Sequence, residues 1–166
     1  MDLYILRHAI AEPLSESNGW TDSKRALTPD GAEKMRRIAK GMQSIAPGFD
    51  RVLCSPFLRA RQTAEIVVET FQPSPHLEIV PELASGIGLK TQIDALVPFQ
   101  ADHARLLIVG HEPDLSTMIA TFISGDPSTA ITMKKAGLCS LTVGTLRNGR
   151  CARLNWLLAP AQLKRL

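Results

Sequence analysis

Apolar positions along the chain fall into two rhythms, short solid runs and longer stretches at helical spacing. The runs are Leu3-Tyr4-Ile5-Leu6, Arg51-Val52-Leu53-Cys54, Leu77-Glu78-Ile79-Val80 and Arg105-Leu106-Leu107-Ile108-Val109. Each is short, and the first, second and fourth are nearly unbroken by polar residues, which predicts buried strands. Between them lie helix signals. Thr28 suits a cap, Pro29 the first helical position, and Asp30 and Glu33 the positive end of a helix dipole. Ala32, Met35, Ile38, Ala39 and Met42 then make an apolar stripe, with Lys34, Arg36, Arg37 and Lys40 mostly off it as a solvated face. That helix is expected to end at Pro47-Gly48. Ser55-Pro56 reads as the cap of a second helix over 57–71, with Leu58, Ala64, Ile66, Val67 and Phe71 inward. Further helices are predicted over 88–97 and from Pro113 to about Ile123.

The last third changes period. Residues 138–143 and 152–157 alternate apolar and polar, and Arg147-Asn148-Gly149-Arg150 between them is a hairpin signal. Residues 9–27 are polar and irregular, with Pro13 and Asn18-Gly19, and predict a loop of a length usually associated with function. Strands alternating with helices, closed by a hairpin, predict an α/β fold. Its expected form is a three-layer α/β/α sandwich with a mostly parallel central sheet and an antiparallel C-terminal edge hairpin. Residues 1–166 contain no repeat or linker and are read as one domain.

Composition narrows the classes. With 45% hydrophobic and 21% charged residues the chain is an ordinary folded one. A net charge of +3 suits an anionic ligand but is too small to indicate nucleic acid. One tyrosine, two tryptophans and five phenylalanines, with no basic stripe among them, make no stacking platform for single strands. Cys54, Cys139 and Cys151 lack metal or disulfide spacing, which favours core thiols and a cytoplasmic setting. No apolar run of about 18 residues is present, so no membrane span is predicted. No signal-peptide core can be drawn through Asp2, Arg7 and His8.

The chemistry gathers where the runs end. The first delivers Arg7-His8, the second leads into Ser55-Pro56-Phe57-Leu58-Arg59, and the fourth delivers Gly110-His111. In an open α/β sheet, ligands sit at the carboxyl ends of the strands. Parallel and adjacent, these three would bring two imidazoles and two guanidiniums to one crevice, a receptor for an oxyanion. Taken alone, Arg7-His8 is better explained by a surface pair where a strand meets a loop. It is the repetition at three strand ends that favours a site. His111-Glu112-Pro113-Asp114 has no second histidine a turn later, so no metal site is predicted, and no glycine-rich loop ends in Gly-Lys-Ser/Thr.

Three motifs carry a resemblance. Leu6-Arg7-His8-Ala9 resembles the Arg-His-Gly signature of the histidine phosphatase (phosphoglycerate mutase-like) superfamily. Ser55-Pro56-Phe57-Leu58-Arg59-Ala60-Arg61-Gln62-Thr63-Ala64 is similar to its second motif and Val109-Gly110-His111-Glu112-Pro113 to its third. The short chain, Arg25-Ala26-Leu27-Thr28 and Leu154-Asn155-Trp156 are most like the SixA-type phosphohistidine phosphatases. The resemblance implies that His8 is a nucleophile that becomes transiently phosphorylated, with Arg7, Arg59 and His111 holding the phosphoryl oxygens and no cofactor or metal. It also implies that Arg59 rather than Arg61 is the functional arginine. Arg25 matches an often basic position, as a substrate contact or as a plain surface residue.

Two departures stand out. Ala9 replaces the usual glycine, which implies backbone there without a left-handed turn. Ser85 stands where the mutase and acid-phosphatase branches carry a proton-donating carboxylate, and Glu82 is the nearest alternative. An alkoxide needs a proton to leave, whereas a phosphohistidine leaves as an imidazole, whose conjugate acid has a pKa of about 6.5. The expected substrate is therefore a phosphohistidine-bearing protein, a phosphorelay or phosphotransferase component. The alternative is a small-molecule phosphomonoesterase with Glu82 or another acid as donor. A silent phosphate-binding module and a mutase are weaker readings.

Overall fold

The structure is a computed structural model, and it describes residues 1–14, 21–101 and 104–166. Six strands form one sheet in the order β3-β2-β4-β1-β5-β6, with β1 at Asp2–Arg7, β2 at Arg51–Cys54, β3 at His76–Ile79, β4 at Arg105–Gly110, β5 at Leu138–Val143 and β6 at Ala152–Leu158. The first four run parallel, and β5 and β6 run antiparallel at one edge. The strands richest in apolar residues take the centre: Leu3, Ile5, Leu6, Leu106, Leu107, Ile108 and Val109 are wholly buried. A strand with no polar face must be covered on both sides, and helices supply the covers. Helices α1 (Pro29–Met42), α2 (Leu58–Thr70) and the short α5 (Pro160–Leu163) pack on one face, through Met35, Ile38, Ala64, Val67 and Leu163. Helices α3 (Leu89–Leu96) and α4 (Asp114–Ser124) pack on the other, through Ile93, Leu96, Met118, Ile119 and Phe122. This is the α/β architecture the apolar rhythm predicts.

Several boundaries differ from the sequence reading, each for a local reason. Helix α1 begins as expected, with the Thr28 hydroxyl accepting from the Gly31 amide at 2.9 Å, but it ends at Met42. There the amides of Gln43, Ser44 and Ile45 turn to carbonyls three residues back, tightening the chain before Pro47. Ser55 does not cap α2. The cap position is Phe57, whose side chain has no acceptor, and the Ser55 hydroxyl is used elsewhere. Strand β3 sits one residue earlier than expected, and a 3-10 turn over Val97–Gln100 carries Pro98. Helix α5 follows β6 at a Pro160 start that the sequence reading passes over. Cys54 and Cys139 are buried free thiols, pushed by that burial up to about 11 and about 12, while Cys151 is half-buried. Among the described residues, no helix is long and apolar enough to cross a membrane.

Two features brace the carboxyl end of β1. Ala136 adopts a left-handed backbone (φ 58°), and its amide donates to the carbonyls of both Arg7 and His8 at 3.1 and 3.2 Å. A residue with a Cβ pays about 1–2 kcal/mol for that conformation. The double hydrogen bond at the end of β1 offsets it. The second feature is Gly31, in the first turn of α1. A Cβ there would strike the carbonyl oxygen of Ile10, which also accepts from the Thr28 amide at 3.0 Å.

The loop over 9–27 is only partly covered, since residues 15–20 lie outside the described ones. Its base is pinched shut. Ala11 and Leu27 form an antiparallel bridge, the Glu12 amide donates to the Ala26 carbonyl at 2.9 Å, and the Leu27 amide donates to the Gln62 side chain of α2 at 2.7 Å. A 3-10 turn over Asp22–Lys24 occupies its outer part.

Candidate active site

Register brings the three strand ends together. Arg7 pairs with Gly110 across β1 and β4, and Cys54 pairs with Val109 across β2 and β4. The ladder continues one residue further on both sides: the His8 amide donates to the Gly110 carbonyl and the Ser55 amide to the Val109 carbonyl, each at 3.0 Å. His8, Ser55 and His111 are thus the first residues beyond three neighbouring strands. All three are buried. Arg59 reaches the same place from the first turn of α2 and is only 4% exposed. Arg61 points elsewhere and pairs with Glu65 at 3.9 Å on an exposed face. Two residues apart on a helix are about 200° apart around the axis, which separates the two arginines.

The state of His8 follows from its contacts. Its Nδ1 lies 2.7 Å from the Ala9 carbonyl oxygen, which can only accept, so Nδ1 carries the proton. That leaves a lone pair on Nε2, and Arg59 Nε donates to it at 3.2 Å. Both contacts require the same neutral tautomer. His8 is pushed down to about 3, first by burial, with the Ala9 hydrogen bond opposing and the fields of His111, Arg59 and Arg7 assisting. Burial is thus a larger cause than the charges of the two arginines. Ala9 keeps ordinary backbone, as its identity implies. Its amide donates to the Thr63 hydroxyl at 3.1 Å, and that hydroxyl donates to the Arg59 carbonyl at 2.6 Å, tying the residue after His8 to α2.

His111 is set by Ser55. Its Nε2 is 2.7 Å from the Ser55 hydroxyl, which already accepts from the Phe57 amide at 3.2 Å. Among the described residues Nε2 is the one acceptor bonded to that hydroxyl, so the hydroxyl proton goes to it and the His111 proton sits on Nδ1. Its ordinary value is lowered to about 4, mainly by burial, then by the charge of Arg59, with Asp22 opposing. The rings of His8 and His111 are 5.2 Å apart, and Phe57 packs against both the His111 ring and the Arg59 guanidinium. Arg7 Nη1 donates to the Met133 carbonyl at 2.8 Å. Arg7 Nε and His111 Nδ1 are buried and, among the described residues, have no protein partner. Most buried donors are satisfied, so two unsatisfied ones flanking a neutral imidazole mark a seat for an acceptor.

A carboxylate that the sequence reading does not identify completes the arrangement. Asp22 accepts from Arg59 twice, at its backbone carbonyl (2.7 Å from Nη1) and its carboxylate (2.9 Å from Nη2). Arg25 Nη1 holds the other carboxylate oxygen at 2.7 Å, while Arg25 Nε donates to the Glu12 carbonyl at 2.6 Å. Burial works to raise the Asp22 carboxyl, but the hydrogen bonds and charges of Arg25 and Arg59 outweigh it and hold it below the usual carboxylate range. Arg25 thus belongs to the site through Asp22. Its three-residue spacing from that aspartate is the one signal in the sequence that could have found the pair. Glu82 sits in the 3-10 turn after the edge strand β3, and among the described residues it makes no hydrogen bond or ion pair with Arg7, His8, Arg59 or His111.

Comparison with known proteins agrees with this geometry. The family model described as the histidine phosphatase superfamily (branch 1) matches residues 3–85. Phosphohistidine phosphatase SixA of Escherichia coli K12 is 30% identical over 167 residues, covering 99% of this chain and 97% of that protein. An uncharacterized protein of Picosynechococcus is 32% identical over 152 residues, 89% and 88% of the two chains. A solved structure of the protein histidine phosphatase SixA complexed with tungstate matches with a TM-score of 0.84 at 27% identity, covering 98% of this chain and 99% of that one.

Proposed function

Because the chain belongs to the histidine phosphatase superfamily, branch 1, and is a phosphatase by that membership, we propose that it dephosphorylates a histidine-phosphorylated protein through a covalent intermediate on His8, with no metal ion. In the first half-reaction the Nε2 lone pair of His8 forms a bond to phosphorus. The pair of the breaking P–N bond goes to the substrate ring, which keeps the proton on its other nitrogen and leaves as neutral imidazole. In the second half, water attacks the phosphoryl-His8. The N–P bond breaks, and dihydrogen phosphate departs with both water protons. Arg59, Arg7 Nε and His111 Nδ1–H are the donors for the phosphoryl oxygens, and Ser55 keeps His111 in the donating tautomer.

The observation that carries the reading is the pairing of the two unpartnered buried donors with a nucleophile already in its reactive tautomer. A module that only bound phosphate would have no use for a neutral imidazole at its centre whose Nε2 lone pair is left unprotonated. The nature of the substrate is supported by the similarity to SixA and by Ser85, where an alkoxide-releasing enzyme carries an acid. Brief incubation with a radiolabelled phosphohistidine peptide and acid-free quenching should leave label on the wild-type protein and none on His8→Ala. The same peptide should be turned over faster than a matched phosphoserine peptide. A faster phosphoserine reaction would overturn the substrate assignment, and label persisting on the alanine variant would overturn the nucleophile.

A further inference from the structure

Building on that reading, we propose that the Asp22 carboxylate accepts the free ring N–H of the substrate phosphohistidine and so selects imidazole as the leaving group. The Arg59 guanidinium joins the two ends of the reaction: its Nε is on the nucleophile His8, and its Nη2 is on Asp22. A phosphoryl group held by this guanidinium lies between them. Displacement at phosphorus runs in line, so the leaving nitrogen must lie opposite His8. Burial gives the direction. His8 is 6% exposed and forms the floor, whereas the Asp22 side chain is 41% exposed and stands at the rim, the side from which a protein-borne ring has to enter and depart.

The carboxylate also has the capacity for the role. Two carboxylate oxygens offer about four lone-pair positions. Arg25 takes one on Oδ1 and Arg59 one on Oδ2, which leaves an acceptor position on each oxygen. Its two arginines hold it ionised, so it accepts a proton-bearing nitrogen and does not supply a proton to an alkoxide. Such a group favours the protonated phosphoimidazole, the form whose P–N bond breaks to give a neutral ring. It offers nothing to a serine or sugar oxygen, which carries no such N–H. An ionised carboxylate near a phosphoryl dianion would be costly on its own account, and Arg25 offsets that charge.

The experiment must separate this contact from the simple bracing of Arg59. Asp22→Asn keeps an oxygen for Arg59 but loses the negative charge. It is assayed on a phosphohistidine peptide and on p-nitrophenyl phosphate, whose nitrophenolate leaves without a proton. A charge-assisted hydrogen bond to the leaving ring predicts a loss of about ten- to a hundredfold in kcat/KM on the peptide. Turnover of p-nitrophenyl phosphate should change less than about threefold, and Asp22→Glu should recover part of the peptide activity. Equal losses on both substrates would reduce Asp22 to a brace for Arg59 and overturn the inference, as would no loss on either. A wild-type protein that hydrolyses p-nitrophenyl phosphate but not the peptide would instead overturn the phosphohistidine reading itself, and this inference with it.

Discussion

The crevice has two halves built on different foundations. The inner half is carried by strand ends and the first turn of α2: His8 and His111 follow paired positions of β1 and β4, Ser55 follows β2, and Arg59 stands on the helix that begins beside it. Every one is buried. The outer half, Asp22 and Arg25, hangs from a long connection closed at its base by the Ala11–Leu27 bridge, and its side chains are 41% and 18% exposed. The difference separates two kinds of work. Any phosphoryl group meets the same tetrahedral demands, so its receptor can be set in the rigid core. The leaving group varies from one substrate to another, and Asp22, the residue proposed to meet it, stands on a connection outside the sheet.

That division can be tested in order of expected size. Replacing Arg59 with alanine should lower turnover about a hundred- to a thousandfold on both a phosphohistidine peptide and p-nitrophenyl phosphate, because the lost donors serve the phosphoryl group common to both. The larger loss should fall on the peptide, since Arg59 also holds Asp22. A loss confined to one substrate would break the division. Ser55→Ala should cost about fivefold on both, the worth of one hydrogen bond that fixes the His111 tautomer. NMR of the imidazole nitrogens should show His111 losing its single tautomer, and an unchanged spectrum would remove Ser55 from the inner half.

The remaining effect is on stability, a slope with pH. The unfolded chain binds a proton at each histidine below about 6.5. The folded protein resists protonation of His8 down to about 3 and of His111 down to about 4. The unfolded state therefore holds more protons across that window, and stability falls as the pH drops from 6.5 towards 4. Urea midpoints should follow that fall in the wild type, with a shallower dependence in His111→Asn. The acid limb of kcat/KM on p-nitrophenyl phosphate should likewise carry no step from His8 near 6.5, since its nucleophilic form persists well below that value.

The inner half is legible in the sequence, and the outer half is not. Solid apolar runs locate β1, β2 and β4, and a parallel sheet dictates that whatever follows them meets at one edge. Arg7, His8, Arg59 and His111 can thus be gathered before any coordinates exist. Ser55 is visible but misread: next to Pro56 it looks like a helix cap, and only the proximity of His111 gives its hydroxyl another partner. Asp22 has no periodicity to place it. Its role depends on the folding back of a polar connection, which is settled by contacts with Glu12, Arg25, Gln62 and Arg59 rather than by any local preference. Ala136 is hidden for the opposite reason, since alanine is a poor signal for a left-handed turn and only the carbonyls of Arg7 and His8 make that conformation worthwhile.

The close seat of Gly31 against the Ile10 carbonyl fixes where the outer connection springs from and where it lands. Helix α1 works as a mounting plate: the chain leaves His8, touches the helix start, and returns through Leu27 and Thr28 to enter that same helix. The span between these two posts is in effect a cartridge. Exchanging it for the corresponding span of a related phosphatase, with Ile10, Leu27, Thr28 and Gly31 retained, would refit the rim for a different departing group and leave the floor undisturbed.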